Sequence, residues 1–126
     1  MNKEIIEKLR RIGVDTESAI ERFMGNEALY TKFALRFIDD KNYEELVNAV
    51  ETGDGKKAFA AAHALKGICG NLSFVSLYHA ASELVEPLRG GSMESARKRL
   101  PEFVRRYDEL IEILREWKDE EERARV

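Results

Sequence analysis

The chain has 126 residues and a mass of 14.5 kDa, which is the size of a single domain. Its 21 basic and 24 acidic residues are interleaved and leave a net charge of -3, which gives no reason to expect nucleic-acid binding. One cysteine excludes an internal disulfide, and no apolar run is long enough for a signal peptide or a membrane span. We expect a soluble, cytoplasmic protein, and its abundant Ala, Leu, Glu, Lys and Arg favour an all-α fold.

Hydrophobic periodicity predicts four helices in the first half of the chain, at about 2–11, 15–24, 27–40 and 42–50. Polar residues with short side chains precede three of them and can cap their first N–H groups. These predicted caps are Asp15 or Thr16, Asn26, and Asn42 in a capping box. The third and fourth helices could together form one bent helix.

Three longer helices are predicted in the second half. The first spans about Gly55 to Leu72, with Asp54 as its cap after a glycine-containing loop. The next spans about 75–88, and Pro87 should loosen its last turn because proline lacks an N–H group.

The last predicted helix is capped by Ser92, and Pro101 predicts a kink near its start. The charged residues 118–126 are expected to fray, which leaves a core of about 13–117 in a single domain of 1–126. Short connections between the four substantial helices predict an antiparallel up-down four-helix bundle, with short additional N-terminal helices covering one end.

The helix predicted at 55–72 carries a histidine on the side opposite its apolar stripe. At about 100° per residue its apolar positions share one broad side, and His63 projects away from them. Its face is made of the residues three, four and seven positions away. These are Lys56, Phe59, Ala60, Lys66, Gly67 and Gly70.

The two glycines on this face need an explanation, because each costs about 1 kcal/mol relative to alanine inside a helix. Without a Cβ atom, Gly67 and Gly70 would let a phosphate group or another backbone approach closely. The neutral imidazole of His63 is a competent nucleophile near neutral pH, and Lys66 can pair with phosphoryl oxygens. The pattern therefore favours a phosphate-handling site.

The segment His63-Ala64-Leu65-Lys66-Gly67 resembles the phosphoacceptor motif of histidine-containing phosphotransfer (HPt) domains. The resemblance continues into Gly70 and Leu72 and into the upstream segment 14–30, so that it covers about residues 13–114. It implies a phosphocarrier, not an independent enzyme, in a multistep His-Asp phosphorelay of two-component signal transduction. His63 would accept a phosphoryl group on Nε2 from a receiver-domain aspartate and pass it to another receiver, while Lys66 stabilises the group.

The resemblance also implies the partners and the cofactor. Response-regulator receiver domains are the expected partners, with a hybrid sensor histidine kinase as a further candidate, and the chain is expected to be a monomer. Mg²⁺ would be bound by the receiver, so no cofactor is expected on this chain. Ala60, Gly67 and Gly70 would admit the partner, whereas Phe59 could equally be an apolar docking contact or a partly buried edge residue.

Other interpretations remain open. His63 and Lys66 could be solvated surface residues, and the two glycines could serve close helix packing. The main alternative function is a helical adaptor that binds a receiver or kinase without accepting phosphate. A bundle-type metalloprotein would need carboxylates and histidines that point into the core, and it is disfavoured because the inward positions are overwhelmingly apolar. The two histidines and the cysteine also lack convincing ligand spacing. Three further expectations are a surface position for His79, a packed core position for Cys69, and a helix-ending role for Asn71.

Overall fold

The computed structural model describes residues 1–125, and within that range it contains α-helices and one 3-10 turn but no strand. The all-α prediction is confirmed. The helices are α1 (Lys3–Arg11), α2 (Thr16–Arg22), α3 (Glu27–Arg36), α4 (Asn42–Thr52), α5 (Gly55–Asn71), α6 (Val75–Arg89) and α7 (Met93–Ala124), and the 3-10 turn is Phe37–Asp39.

Helices α4 to α7 form the bundle. α5 packs against α4 and α6, α6 packs against α7, and α4 also contacts α7. The connections at 53–54, 72–74 and 90–92 are too short for anything but a reversal of the chain. Apolar side chains from all four helices fill the centre, and the largest fully buried ones include Leu46, Leu65, Leu84, Phe103 and Trp117.

The short helices α1 to α3 pack against the bundle at α7 and at the turn between α5 and α6. α1 and α3 both contact α7, and the ring of Tyr30 on α3 lies 6.2 Å from that of Trp117. The Tyr30 hydroxyl donates to the Leu72 carbonyl at 2.8 Å, and the Asp15 N–H donates to the Ser73 carbonyl at 3.0 Å. The N-terminal segment therefore fixes the turn between α5 and α6.

Side-chain caps begin most of the helices. Asp15, Asn26, Asp54 and Ser92 each accept a hydrogen bond from the N–H three residues on, as predicted. The predicted cap at Asn42 is wrong: the Asp40 carboxylate accepts from its backbone and side-chain N–H groups, both at 2.9 Å. Asp40 is extended and follows the 3-10 turn, so α3 and α4 are separate helices, not one bent helix.

The C-terminal part of α7 differs from the expectation of a frayed tail. Both prolines lie inside helices, and α7 runs for 32 residues, from Met93 through Pro101 to Ala124. Buried Trp117 donates its indole N–H to Glu121 at 3.2 Å, and Glu116 pairs with Lys8 of α1 at 2.6 Å. These contacts hold α7 just before the charged segment, and the side chain of Asn2 donates to Glu120 within that segment at 2.5 Å. Val126, the last residue of the predicted tail, lies outside the described residues.

None of the helices within residues 1–125 combines the length and the apolar composition needed to cross a membrane.

Candidate functional site

Helix α5 directs His63 toward solvent, as the periodicity predicts. The opposite side of the helix is buried in the bundle, and it includes Ala58, Ala61, Leu65 and Cys69. His63 is exposed, while the neighbouring Ala62 is fully buried. Since α5 is packed between α4 and α6, the histidine is carried on a rigid element in the middle of the fold.

An open groove of about 690 Å³ lies beside His63. Helix α5 forms its floor, helix α6 forms one wall, and the end of α2 closes it near Arg22. The residues that line it on the histidine side are His63, Lys66, Gly67, Gly70, Tyr78 and His79. The groove thus brings four of the six predicted site residues together with two side chains from α6, while Phe59 and Ala60 lie outside its lining.

The imidazole of His63 is stacked on Phe59. The two ring centroids are 5.8 Å apart and the ring planes differ by 13°. Arg89 is the last residue of α6, and its guanidinium group lies 5.2 Å from the centroid of the Phe59 ring. Phe59 is half-buried, so it is an edge residue of the core that also contacts the histidine directly.

The ammonium group of Lys66 lies over an aromatic ring of α6. Its Nζ atom is 5.9 Å from the centroid of Tyr78. Among residues 1–125, no carboxylate lies within salt-bridge distance of Lys66 or of Arg22. Lys66 and Arg22 are therefore cationic groups of the groove without a salt-bridge partner among residues 1–125, and Asp15 is the one acidic residue that lines it there.

A model of the Hpt domain family matches residues 40–119. The chain belongs to this family. The match begins just before α4 and covers α5, α6 and most of α7, so the groove between α5 and α6 lies inside it. Helices α1 to α3 lie outside it. No curated protein and no solved structure matches the chain. Membership in the family makes this a histidine phosphotransfer domain of the kind that operates in phosphorelays.

The two glycines of the Hpt domain's α5 differ in their surroundings. A Cβ atom on Gly67 would meet nothing within 4 Å, which leaves the approach beside His63 open. On Gly70 it would lie 3.4 Å from two ring carbons of Tyr78, and the Gly70 carbonyl accepts from Arg22 at 2.8 Å. The geometry therefore favours helix packing, not partner access, as the reason for Gly70.

The remaining expectations for the Hpt domain can be compared with the structure. Ala60 is exposed beside His63, and Asn71 is the last residue of α5. Cys69 is fully buried, which raises the pKa of its thiol and removes it as a nucleophile. Within residues 1–125, no three His, Cys, Asp or Glu side chains come together in a group that could hold a metal ion.

Sequence reasoning missed the α6 side of the groove. His79 is exposed, as predicted, but it lies in the same groove as His63. The side chain of Tyr78 extends from α6 to Lys66 of α5. The short turn at 72–74 is the signal that could have found them, because residues at similar distances on either side of a hairpin turn come to lie opposite each other.

Proposed function

We propose that His63 is the phosphoacceptor of this Hpt domain, and that the chain carries phosphoryl groups between receiver domains. The observation that carries the proposal is the position of His63. It lies within the matched range, exposed on the rigid helix α5, beside the unpaired ammonium of Lys66 and the open backbone of Gly67.

In the proposed step, the Nε2 lone pair of neutral His63 attacks the phosphorus of an aspartyl phosphate on a receiver. The N–P bond forms as the P–O bond to the aspartate breaks, and the aspartate leaves as a carboxylate. The Nδ1–H proton stays on the imidazole, so the phosphorylated ring is cationic until a proton is lost. Transfer to a second receiver reverses the same bond changes, with its aspartate as the nucleophile.

Lys66 supplies the charge that this chain contributes. The transferred group spreads negative charge over three oxygens, and stabilising that charge is the main task of a protein in phosphoryl transfer. An ammonium at the next turn of α5 is placed to do so without a competing carboxylate. The receiver would bring Mg²⁺ and the remaining catalytic groups.

The face around His63 would also form the docking surface. Ala60 and Gly67 are exposed and small, so a flat partner surface can come close to the imidazole. Phe59 adds an apolar edge next to the histidine, and interfaces are enriched in such aromatic residues. Gly70 is not part of this proposal, because the Tyr78 ring covers it.

The test is intact-mass analysis after incubation with a phosphorylated receiver domain. We expect one acid-labile, alkali-stable phosphoryl group on the wild type and none on His63→Gln. His79→Gln is the matched control, because it removes the other exposed imidazole of the same groove, and it should still be phosphorylated. If His79→Gln took up no phosphoryl group and His63→Gln still did, the acceptor would be His79 and not His63. Binding of several receivers without any mass gain would favour the adaptor.

A further inference from the structure

The position of Lys66 is not fixed by helix geometry alone. Lysine has a flexible four-carbon chain, and at an exposed helix position it samples many rotamers. Its separation of three residues from His63 makes the two side chains neighbours but does not direct the ammonium into the groove. In the structure Lys66 is half-buried, and its Nζ atom lies over the Tyr78 ring, 5.9 Å from the centroid.

The Tyr78 ring is itself held on two sides. One edge lies against α5 at Gly70, where an added Cβ atom would be in van der Waals contact with its Cδ1 and Cε1 atoms, at 3.4 Å. The imidazole of His79 packs against it in an edge-to-face arrangement, with centroids 5.6 Å apart and planes at 72°. The ring is thus a fixed platform between α5 and α6, on the same side of the bundle as His63.

We propose that Tyr78 is a positioning residue, which holds the Lys66 ammonium over its ring and so keeps that charge beside His63 for phosphoryl transfer. This role rests on the proposed function of His63 as acceptor. An aromatic face attracts a cation through its quadrupole, yet it leaves the charge and the N–H donors of the cation available. A carboxylate at the same place would orient the lysine but would also neutralise the charge that the phosphoryl oxygens need.

The first test is made on the free protein by NMR and does not depend on phosphorylation. Protons above an aromatic face are shifted upfield, so the ε-methylene protons of Lys66 should be upfield of those of the other lysines. The shift should persist in Tyr78→Phe, which keeps the ring, and disappear in Tyr78→Leu and Tyr78→Met. Ordinary ε-methylene shifts for Lys66 in the wild type would overturn the proposal.

The second test measures the transfer rate from a phosphorylated receiver in a double-mutant cycle. Tyr78→Phe should transfer at the wild-type rate, and Tyr78→Leu should be slower by about two- to fivefold, the size expected from one exposed cation–π contact. Lys66→Ala should be slower still. The double variant Lys66→Ala/Tyr78→Leu should be no slower than Lys66→Ala, because Tyr78 acts only through the lysine.

The two proposals fail in different ways. If Tyr78→Leu is as fast as the wild type, or slows Lys66→Ala by the same factor as it slows the wild type, the positioning role is overturned while His63 remains the acceptor. If the wild type takes up no phosphoryl group from any receiver, the proposed function is overturned, and the positioning role with it. Thermal melting of each variant controls for unfolding, and Tyr78→Met provides a second truncation.

Discussion

Gly67 offers the sharpest test of whether a residue of the groove lowers the stability of the fold in order to keep the approach to His63 open. A Cβ atom at this position would meet nothing within 4 Å, so alanine can be added without a clash. Alanine is about 1 kcal/mol more favourable than glycine in a helix interior, and Gly67 lies well inside α5. Gly67→Ala should therefore raise the free energy of unfolding by about 1 kcal/mol and the melting temperature by about 4 °C.

A larger side chain at position 67 should leave the fold stable but should slow phosphoryl transfer to His63. Gly67→Gln places a neutral, helix-favouring side chain in the approach to His63, and we expect transfer from a phosphorylated receiver to slow by about tenfold or more, since small displacements of reacting groups have effects of that size. Gly55→Gln is the matched control, because a Cβ there also meets nothing within 4 Å and the site lies at the far end of α5.

The measurements are thermal and urea unfolding, together with transfer kinetics on the same samples. Gly70→Ala should be stabilised less than Gly67→Ala, because its methyl group meets the Tyr78 ring at 3.4 Å. A destabilised Gly67→Ala would show that the glycine serves the fold. If Gly67→Gln transferred as fast as Gly55→Gln, the access role of Gly67 would be refuted.

Two further predictions concern ionisable groups. Burial raises the pKa of the Cys69 thiol, so iodoacetamide at pH 8 should leave the native protein unlabelled and should alkylate it in guanidinium chloride; rapid labelling of the native protein would contradict its buried position. Hydrogen bonds from Arg105 and then Arg106 lower the pKa of Glu102 to about 2, which an NMR titration should detect. Because the pKa of Glu102 is depressed in the folded state, its contribution to the free energy of unfolding is present above the unfolded pKa of about 4.3 and is lost as the pH falls toward 2. Glu102→Gln should remove this part of the pH dependence of stability. An ordinary pKa for Glu102 in the folded protein would refute the pairing.

Local chemistry made much of the fold predictable. A side-chain cap needs only a short polar residue just before the helix, which is why Asp15, Asn26, Asp54 and Ser92 could be assigned from sequence. The exposure of His63 follows from helical periodicity within a single helix. The cap predicted at Asn42 failed because its side-chain amide donates to the carboxylate of Asp40, two residues earlier, and does not accept from an N–H group of α4.

Contacts between helices account for the rest. The stacking of Arg89 on Phe59 joins the end of α6 to α5, and the periodicity of either helix alone does not reveal it. Gly70 was predicted to allow close approach because it lies on the face of His63 and lacks a Cβ atom, yet the ring of Tyr78 from α6 packs beside it. The C-terminal part of α7 likewise packs against α1, where Lys8 pairs with Glu116. Such pairs are specified by tertiary packing, which overrides local propensity.

The single exposed face around His63 also determines the order of events in a relay. Donor and acceptor receivers would need the same imidazole, so they cannot be bound together, and each complex must dissociate before the next one forms. Transfer should therefore follow ping-pong kinetics, with inhibition when the unphosphorylated acceptor is in large excess, because it then occupies the face before loading. In the proposed relay, moderate affinity for the receivers and rapid release are therefore as necessary as the reactivity of His63.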